Sequence, residues 1–173
     1  VITEHFGSGD GFGCAISYVE QVVQDGTGRV VELAKAFAGS DPFILSYGDI
    51  LVSPESYAPL VDFTDVEGKL TVKIDEDVRK GGAVFIEEGM VTDLIEKPKE
   101  GQPTSQYYNA GIYSFSPQIF DYTAKLELSP RGEYELTDAI QAQVKDGLRV
   151  AAVELQGDWA DVRDPEVLKE LNE

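Results

Sequence analysis

Asp49 follows the apolar segment Pro42-Phe43-Ile44-Leu45-Ser46-Tyr47 and a glycine, Gly48. An acid there projects from the carboxyl edge of a sheet, where α/β folds collect ligand chemistry, although an Asp that caps the next turn would look the same. A second acid, Asp161, closes Gly157-Asp158-Trp159-Ala160-Asp161, where a large aromatic in a short strand can fix its position. Glu96-Lys97-Pro98 ends a third extended segment, with a cation beside an acid and a proline stiffening the turn. As an isolated tripeptide it reads equally as an exposed ion pair.

Composition narrows what these residues can do. His5 is the only histidine, which removes Ser-His-Asp hydrolysis and His-ligated zinc. Cys14 is the single cysteine, so there is no internal disulfide or multi-cysteine zinc cluster, and a reducing compartment, the cytoplasm, is expected. Chemistry must come from carboxylates, a lysine, backbone amides or a metal. A formal charge of -18, from 14 Lys and Arg against 32 Asp and Glu, offers no basic stripe for a nucleic-acid backbone. Such acidity reads as a solvated, self-repelling surface, with a saline habitat as the alternative. The apolar runs fall far short of the roughly 20 residues of a membrane span. No signal peptide is visible and the first residue is Val1, not Met, from which a start within a longer protein is expected.

The elements that position these residues alternate in period. The 173 residues, 42% of them hydrophobic, suit one domain. Gly7 to Gly13 is a Gly-rich loop, and Cys14 to Glu20 has the β-branched and aromatic content of a strand. From Thr27, the residues Val30, Val31, Leu33, Ala34, Phe37 and Ala38 recur at helical spacing, with Arg29, Glu32 and Lys35 for the wet side. Pro42 to Tyr47 is expected as a buried strand of a parallel sheet. Ser53-Pro54-Glu55 opens a helix carrying Tyr57, Leu60, Val61 and Phe63 inward. Extended segments follow at Lys69 to Asp75, Ala83 to Glu87 and Met90 to Ile95, the last two joined by a Glu88-Gly89 hairpin turn, and at Tyr108 to Phe115. Ser116-Pro117 starts a short helix, Glu133 to Val144 a longer one with Leu136, Ile140 and Val144 on one face. Leu148 to Leu155 is a strand, and Asp164-Pro165-Glu166 caps a last helix through Val167, Leu168 and Leu171. Strand, helix and strand together indicate an α/β sheet.

The ordered set Tyr18-x-Glu20-Gln21-x4-Gly26-Thr27, Gly48-Asp49, Glu96-Lys97-Pro98, Asn109-Ala110-Gly111-Ile112-Tyr113 and Gly157-x-Trp159-x-Asp161 resembles the sugar-1-phosphate nucleotidyltransferases. The resemblance runs from about Ile2 to Asn172 and implies a Rossmann-like mixed sheet with an inserted antiparallel sugar-binding region, residues 1–173 forming the C-terminal portion of a single domain. It implies an NTP and a sugar 1-phosphate as substrates and Mg2+ as cofactor, with Asp49 and Asp161 on the metal. Gln21, Gly26 and Thr27 fall on the nucleotide, Gly82, Glu96 and Asn109 on the sugar, and Lys97 on its phosphate. The chemistry is coherent: both substrates are anionic, a hard cation and a lysine cancel their repulsion, and in-line placement needs no covalent intermediate.

The pattern departs from the family in three places. The Gly-x-Gly-x-Arg loop that cradles the triphosphate has no counterpart, since Gly7 to Gly13 lacks Lys or Arg and does not lead into a helix. Arg163 stands where many members carry glycine, and Gly28 where alanine is common. Without the first strand-loop-helix unit an apolar sheet edge is expected to be exposed, to be covered in a longer chain, a homo-oligomer or a complex. Two alternatives are a noncatalytic sugar-nucleotide sensor and a metal-dependent glycosyltransferase, although Gly48-Asp49-Ile50-Leu51 has one acid where the latter shows Asp-x-Asp.

Overall fold

The computed structural model describes every residue except Asp75, Asp164 and Glu173. Helices α1 (Ile2–Phe6), α2 (Thr27–Leu33) and α3 (Lys35–Ala38) precede strands β1 (Phe43–Ser46) and β2 (Ile50–Val52). A 3-10 turn over Pro54–Leu60 leads to β3 (Gly68–Ile74), and the hairpin β4 (Gly82–Glu87) and β5 (Met90–Glu96) leads to β6 (Tyr107–Phe115). The chain ends with α4 (Ile119–Thr123), α5 (Leu136–Lys145), β7 (Val150–Glu154), β8 (Trp159–Asp161) and α6 (Pro165–Glu170). The β4–β5 turn forms at Glu88-Gly89 as expected, both residues having positive φ (50° and 79°), the backbone that two-residue hairpins require.

β6 organises the sheet because its residues are buried along almost the whole strand. β3 runs along one edge of it, while β1 and β4 share the other. β3 pairs with β7, β7 touches β5, and β5 pairs with β4, so the circuit returns to β6 and the main sheet closes as a small barrel. Only β3 and β7 run parallel among the described strands. The core lies between this sheet and α5, where Leu70, Tyr113, Phe115, Ile119, Leu136 and Ile140 are excluded from solvent. None of the described helices is long and apolar enough to cross a membrane.

A bulge interrupts the β3–β6 ladder. Register shifts between Leu70 and Val72, and the buried Thr71 hydroxyl replaces the missing ladder, donating to the Ile112 carbonyl (2.7 Å) and accepting from the Ile112 N–H (3.2 Å). Gly111, at φ 80°, turns there; a Cβ on it would lie 2.9 Å from the Tyr47 ring and 3.0 Å from Ile50.

Four expectations are corrected. Cys14 to Glu20 forms no strand: its β-rich composition finds no ladder partner among the described residues, and Ser17 to Glu20 are exposed. The helical stripe after Thr27 is inverted in part, for Val31 and Ala38 are buried while Val30, Leu33 and Phe37 (82% exposed) face outward. The side chains assigned to water instead make contacts: Arg29 stacks on Tyr134 and Glu32 accepts from the Thr123 hydroxyl. β1 is antiparallel to β6 and half-exposed, not a buried parallel strand. Pro54–Leu60 winds as a 3-10 turn, which buries Leu60 but leaves Val61 outside. The strand end at Asp75 and the cap at Asp164 lie outside the described residues; α6 begins at Pro165, with Leu168 and Leu171 about half exposed.

Candidate functional site

A cleft of about 690 Å3 opens where the small β2–β8 sheet meets the barrel, and Asp49, Asp161, Gly82, Glu96, Lys97, Asn109 and Thr27 all line it. Each acid arrives by a different route. β2 and β8 pair antiparallel with Ile50 opposite Asp161, and the Val162 N–H extends the ladder by donating to the Asp49 carbonyl at 2.8 Å. Trp159 anchors β8, its indole N–H donating to the Ala110 carbonyl (3.0 Å) and its ring meeting Tyr108 edge-on at 5.5 Å. The Tyr47 N–H donates to the Gly111 carbonyl (3.0 Å), which ties the segment ahead of Asp49 to the bulge.

The opposite wall is the end of the β4–β5 hairpin. Gly82 pairs with Glu96, and a Cβ at Gly82 would meet Asn109 Cβ at 3.2 Å and Glu96 Oε2 at 3.5 Å, so the bare backbone leaves both side chains their space. Lys97 has φ 43°, a left-handed conformation rare for a lysine, and its N–H is held by the Gly81 carbonyl at 2.6 Å. Strain of this kind persists where surrounding structure over-determines it, here through Gly81 before it and Pro98 after it.

Arg131, Glu133 and Glu135 also line the cleft, and none of them belongs to a motif in the sequence. Arg131 reaches Glu96 (3.2 Å), Glu133 (3.4 Å) and Glu135 (3.5 Å) at once. Burial is the main force raising the Glu96 carboxyl above its usual range, the neighbouring Glu135 adds to it, and Arg131 opposes both. Burial likewise raises Glu135, against the Ser129 hydroxyl and Arg131. The one sequence signal is the alternation Arg131-Gly-Glu133-Tyr-Glu135 just ahead of α5. A helix expected from Glu133 obscures it, because the helix starts only at Leu136.

Gln21 and Gly26 stand behind this cleft and do not line it. Gln21 Nε2 donates to the Gly26 carbonyl (3.3 Å) and to Asp25 (3.4 Å). Gly26, at φ 124°, lies so close to Tyr134 that a Cβ would fall 2.5 Å from its carbonyl oxygen. Hydrogen bonds from the Tyr134 N–H to the Asp25 carbonyl and from the Gly28 N–H to the Tyr134 carbonyl, each 2.8 Å, lock the two segments together. Thr27 completes the seam, its hydroxyl accepting from the Leu136 N–H at 3.1 Å.

Among the described residues, five acids and three cations, Lys80, Lys97 and Arg131, line the cleft. Asp49 and Asp161 offer hard oxygen donors of the kind Mg2+ prefers, and two carboxylates would leave its other positions to phosphate and water oxygens. Among the described residues no three His, Cys, Asp or Glu side chains gather into a closed metal cage. The donor chemistry of Asp49 and Asp161, hard carboxylate oxygens, fits Mg2+.

The fold is mixed α/β, and its cleft carries both carboxylates and lysines. The family model described as Nucleotidyl transferase matches residues 1–173, and the chain belongs to that family, homologous to sugar-1-phosphate nucleotidyltransferases. It is 34% identical over 171 residues to the low-salt glycan biosynthesis nucleotidyltransferase Agl11 of Haloferax volcanii, covering 96% of this chain and 47% of that one. It is 35% identical over 173 residues to the bifunctional protein GlmU of Methanococcus aeolicus, covering 99% of this chain and 40% of that one. The chain thus spans less than half the length of these relatives. A solved structure of a putative glucose-1-phosphate thymidylyltransferase from Bacillus anthracis, in complex with sucrose, superposes with a TM-score of 0.85 at 28% identity, over 99% of this chain and 69% of that one.

Proposed function

We propose that the protein to which this chain belongs transfers a nucleotidyl group from an NTP to a sugar 1-phosphate, releasing pyrophosphate. The observation that carries this is the convergence of Asp49, Asp161, Glu96, Lys97 and Asn109, residues far apart in the sequence, on one cleft. In this proposal Lys97 neutralises the sugar phosphate, and its pinned backbone holds the ammonium-bearing stem at the cleft wall. Glu96 and Asn109 accept and donate hydrogen bonds to sugar hydroxyls, with Gly82 leaving room for the ring. Arg131 offsets part of the charge of Glu96, Glu133 and Glu135, which lessens their repulsion of an anionic substrate. Thr27 sits at the nucleotide end, with Gln21 and Gly26 shaping the segment that carries it.

Asp49 and Asp161 would hold Mg2+, which supplies charge neutralisation at the phosphates when bound. The proposal also takes the fold as the C-terminal portion of a larger Rossmann-like domain with the β4–β5 hairpin in the sugar-binding insertion. The exposed apolar surface of Val19, Val30, Leu33 and Phe37 then suits cover by further polypeptide or a second copy. A cytoplasmic reaction on soluble substrates fits these features. Incubation of the full-length protein with each NTP, a panel of sugar 1-phosphates and Mg2+ tests the proposal. Pyrophosphate release that requires both substrates is expected, and none with any pair would refute it.

A further inference from the structure

Asp161 does not stand alone beneath the cleft: the Arg163 guanidinium, two residues on and on the same side of the extended chain, pairs with its Oδ2. The same nitrogen reaches the Tyr108 hydroxyl at 3.5 Å, and Tyr108 lines the cleft. Tyr108 is itself fixed, wedged against Gly81 and edge-on to Trp159, so the guanidinium has a defined seat and not a free swing. Arg163 remains 37% exposed as a side chain while Asp161 is only 16% exposed, so the cation covers the acid from the solvent side. Asp49, by contrast, is exposed, and its tie to the neighbouring strand runs through its backbone carbonyl and Val162.

We propose that Arg163 is a positioning residue that guards Asp161: it suppresses binding of a free divalent cation and yields when the cation arrives together with a polyphosphate. The inference rests on the assignment of Asp161 to the metal. A fixed positive charge a few ångströms from a carboxylate opposes a second cation there, since like charges at such range repel even when partly solvated. A guanidinium also matches phosphate oxygens geometrically, and a single nitrogen serves both Asp161 and Tyr108, which leaves other donors of the fork to turn toward an anion. A polyphosphate therefore offers Arg163 a new anion just as the metal takes over Asp161. No covalent bond is made or broken in the exchange.

The two halves of this exchange shift in opposite directions when the guanidinium is lost, which a merely structural role does not produce. The test uses the full-length protein, wild type and Arg163→Gln, titrated with Mn2+ alone by electron paramagnetic resonance and with magnesium inorganic triphosphate by calorimetry. Arg163→Gln is expected to bind free Mn2+ about tenfold more tightly, and magnesium triphosphate about tenfold more weakly. Arg163→Lys should restore part of both effects. Weaker binding of both probes, or no change in free Mn2+ affinity, overturns the inference while leaving the metal assignment intact. If Asp161→Asn binds magnesium triphosphate as tightly as wild type, the metal assignment itself fails, and the inference with it.

Discussion

The carbonyl of Asp49 accepts a 2.8 Å hydrogen bond from the N–H of Val162, the residue after Asp161, so the backbone that carries one acid registers the backbone that carries the other. Ile50 opposite Asp161 continues the same register. Both acids sit at a junction that depends on the β6 bulge, which makes the site sensitive to changes that touch neither carboxylate.

Gly111→Ala should act this way. Its Cβ would stand 2.9 Å from Tyr47 and 3.0 Å from Ile50, at a φ of 80° that L-residues avoid. Left-handed strain of about 1–2 kcal/mol adds to the displacement of the segment bearing Asp49. Thermal denaturation should show a lowered Tm, and substrate turnover should fall by more than lost stability explains.

Arg131→Gln leaves Glu96, Glu133 and Glu135 facing one another without their shared cation. Solvent-exposed pairs contribute little each, but here Glu135 is buried and three acids share one guanidinium as a network, so a loss of about 1–3 kcal/mol is expected. Denaturant unfolding at pH 7 measures it, and the loss should shrink in mild acid as Glu96 and Glu135, whose carboxyls burial raises, protonate.

The pH dependence of stability takes its sign from two raised carboxyls. Glu96 and Glu135 are raised in the folded state, so between the ordinary carboxylate value and their raised values the folded chain binds more protons than the unfolded one. Their contribution to stability is fully present below the ordinary value and is lost as pH rises through the raised folded values. Glu96→Gln should flatten that slope in a plot of Tm against pH, whereas Asp62→Asn, at an exposed turn whose carboxyl is lowered by Thr64, should not.

Much of this molecule could be read in its residues, for identifiable reasons. The hairpin at Glu88-Gly89, the buried run of β6 and the α5 face of Leu136 and Ile140 follow from local period and turn chemistry, which tertiary packing reinforced. The stripe at Val30, Leu33 and Phe37 had the right period but the wrong partner, because periodicity gives a face and not what covers it. Cys14 to Glu20 had strand composition without a neighbouring strand to bond among the described residues. At the site, Asp49, Glu96, Lys97 and Asp161 stood out through motif order. Arg131 was hidden because a lone arginine in a loop acquires meaning only when folding brings Glu96, thirty-five positions away in sequence, within reach. Arg163 was visible as a departure from a glycine pattern, but its seat on Asp161 and Tyr108 required the strands.

The most direct test of the central claim is pyrophosphate release by full-length Asp49→Asn with NTP, sugar 1-phosphate and Mg2+. The change removes a charge and one of the oxygens proposed to hold the metal while keeping the shape of an exposed side chain, so folding should be unaffected and release should fall by about a thousandfold or more. Release at the wild-type rate would contradict the assignment of Asp49 to the metal and, with it, the whole site.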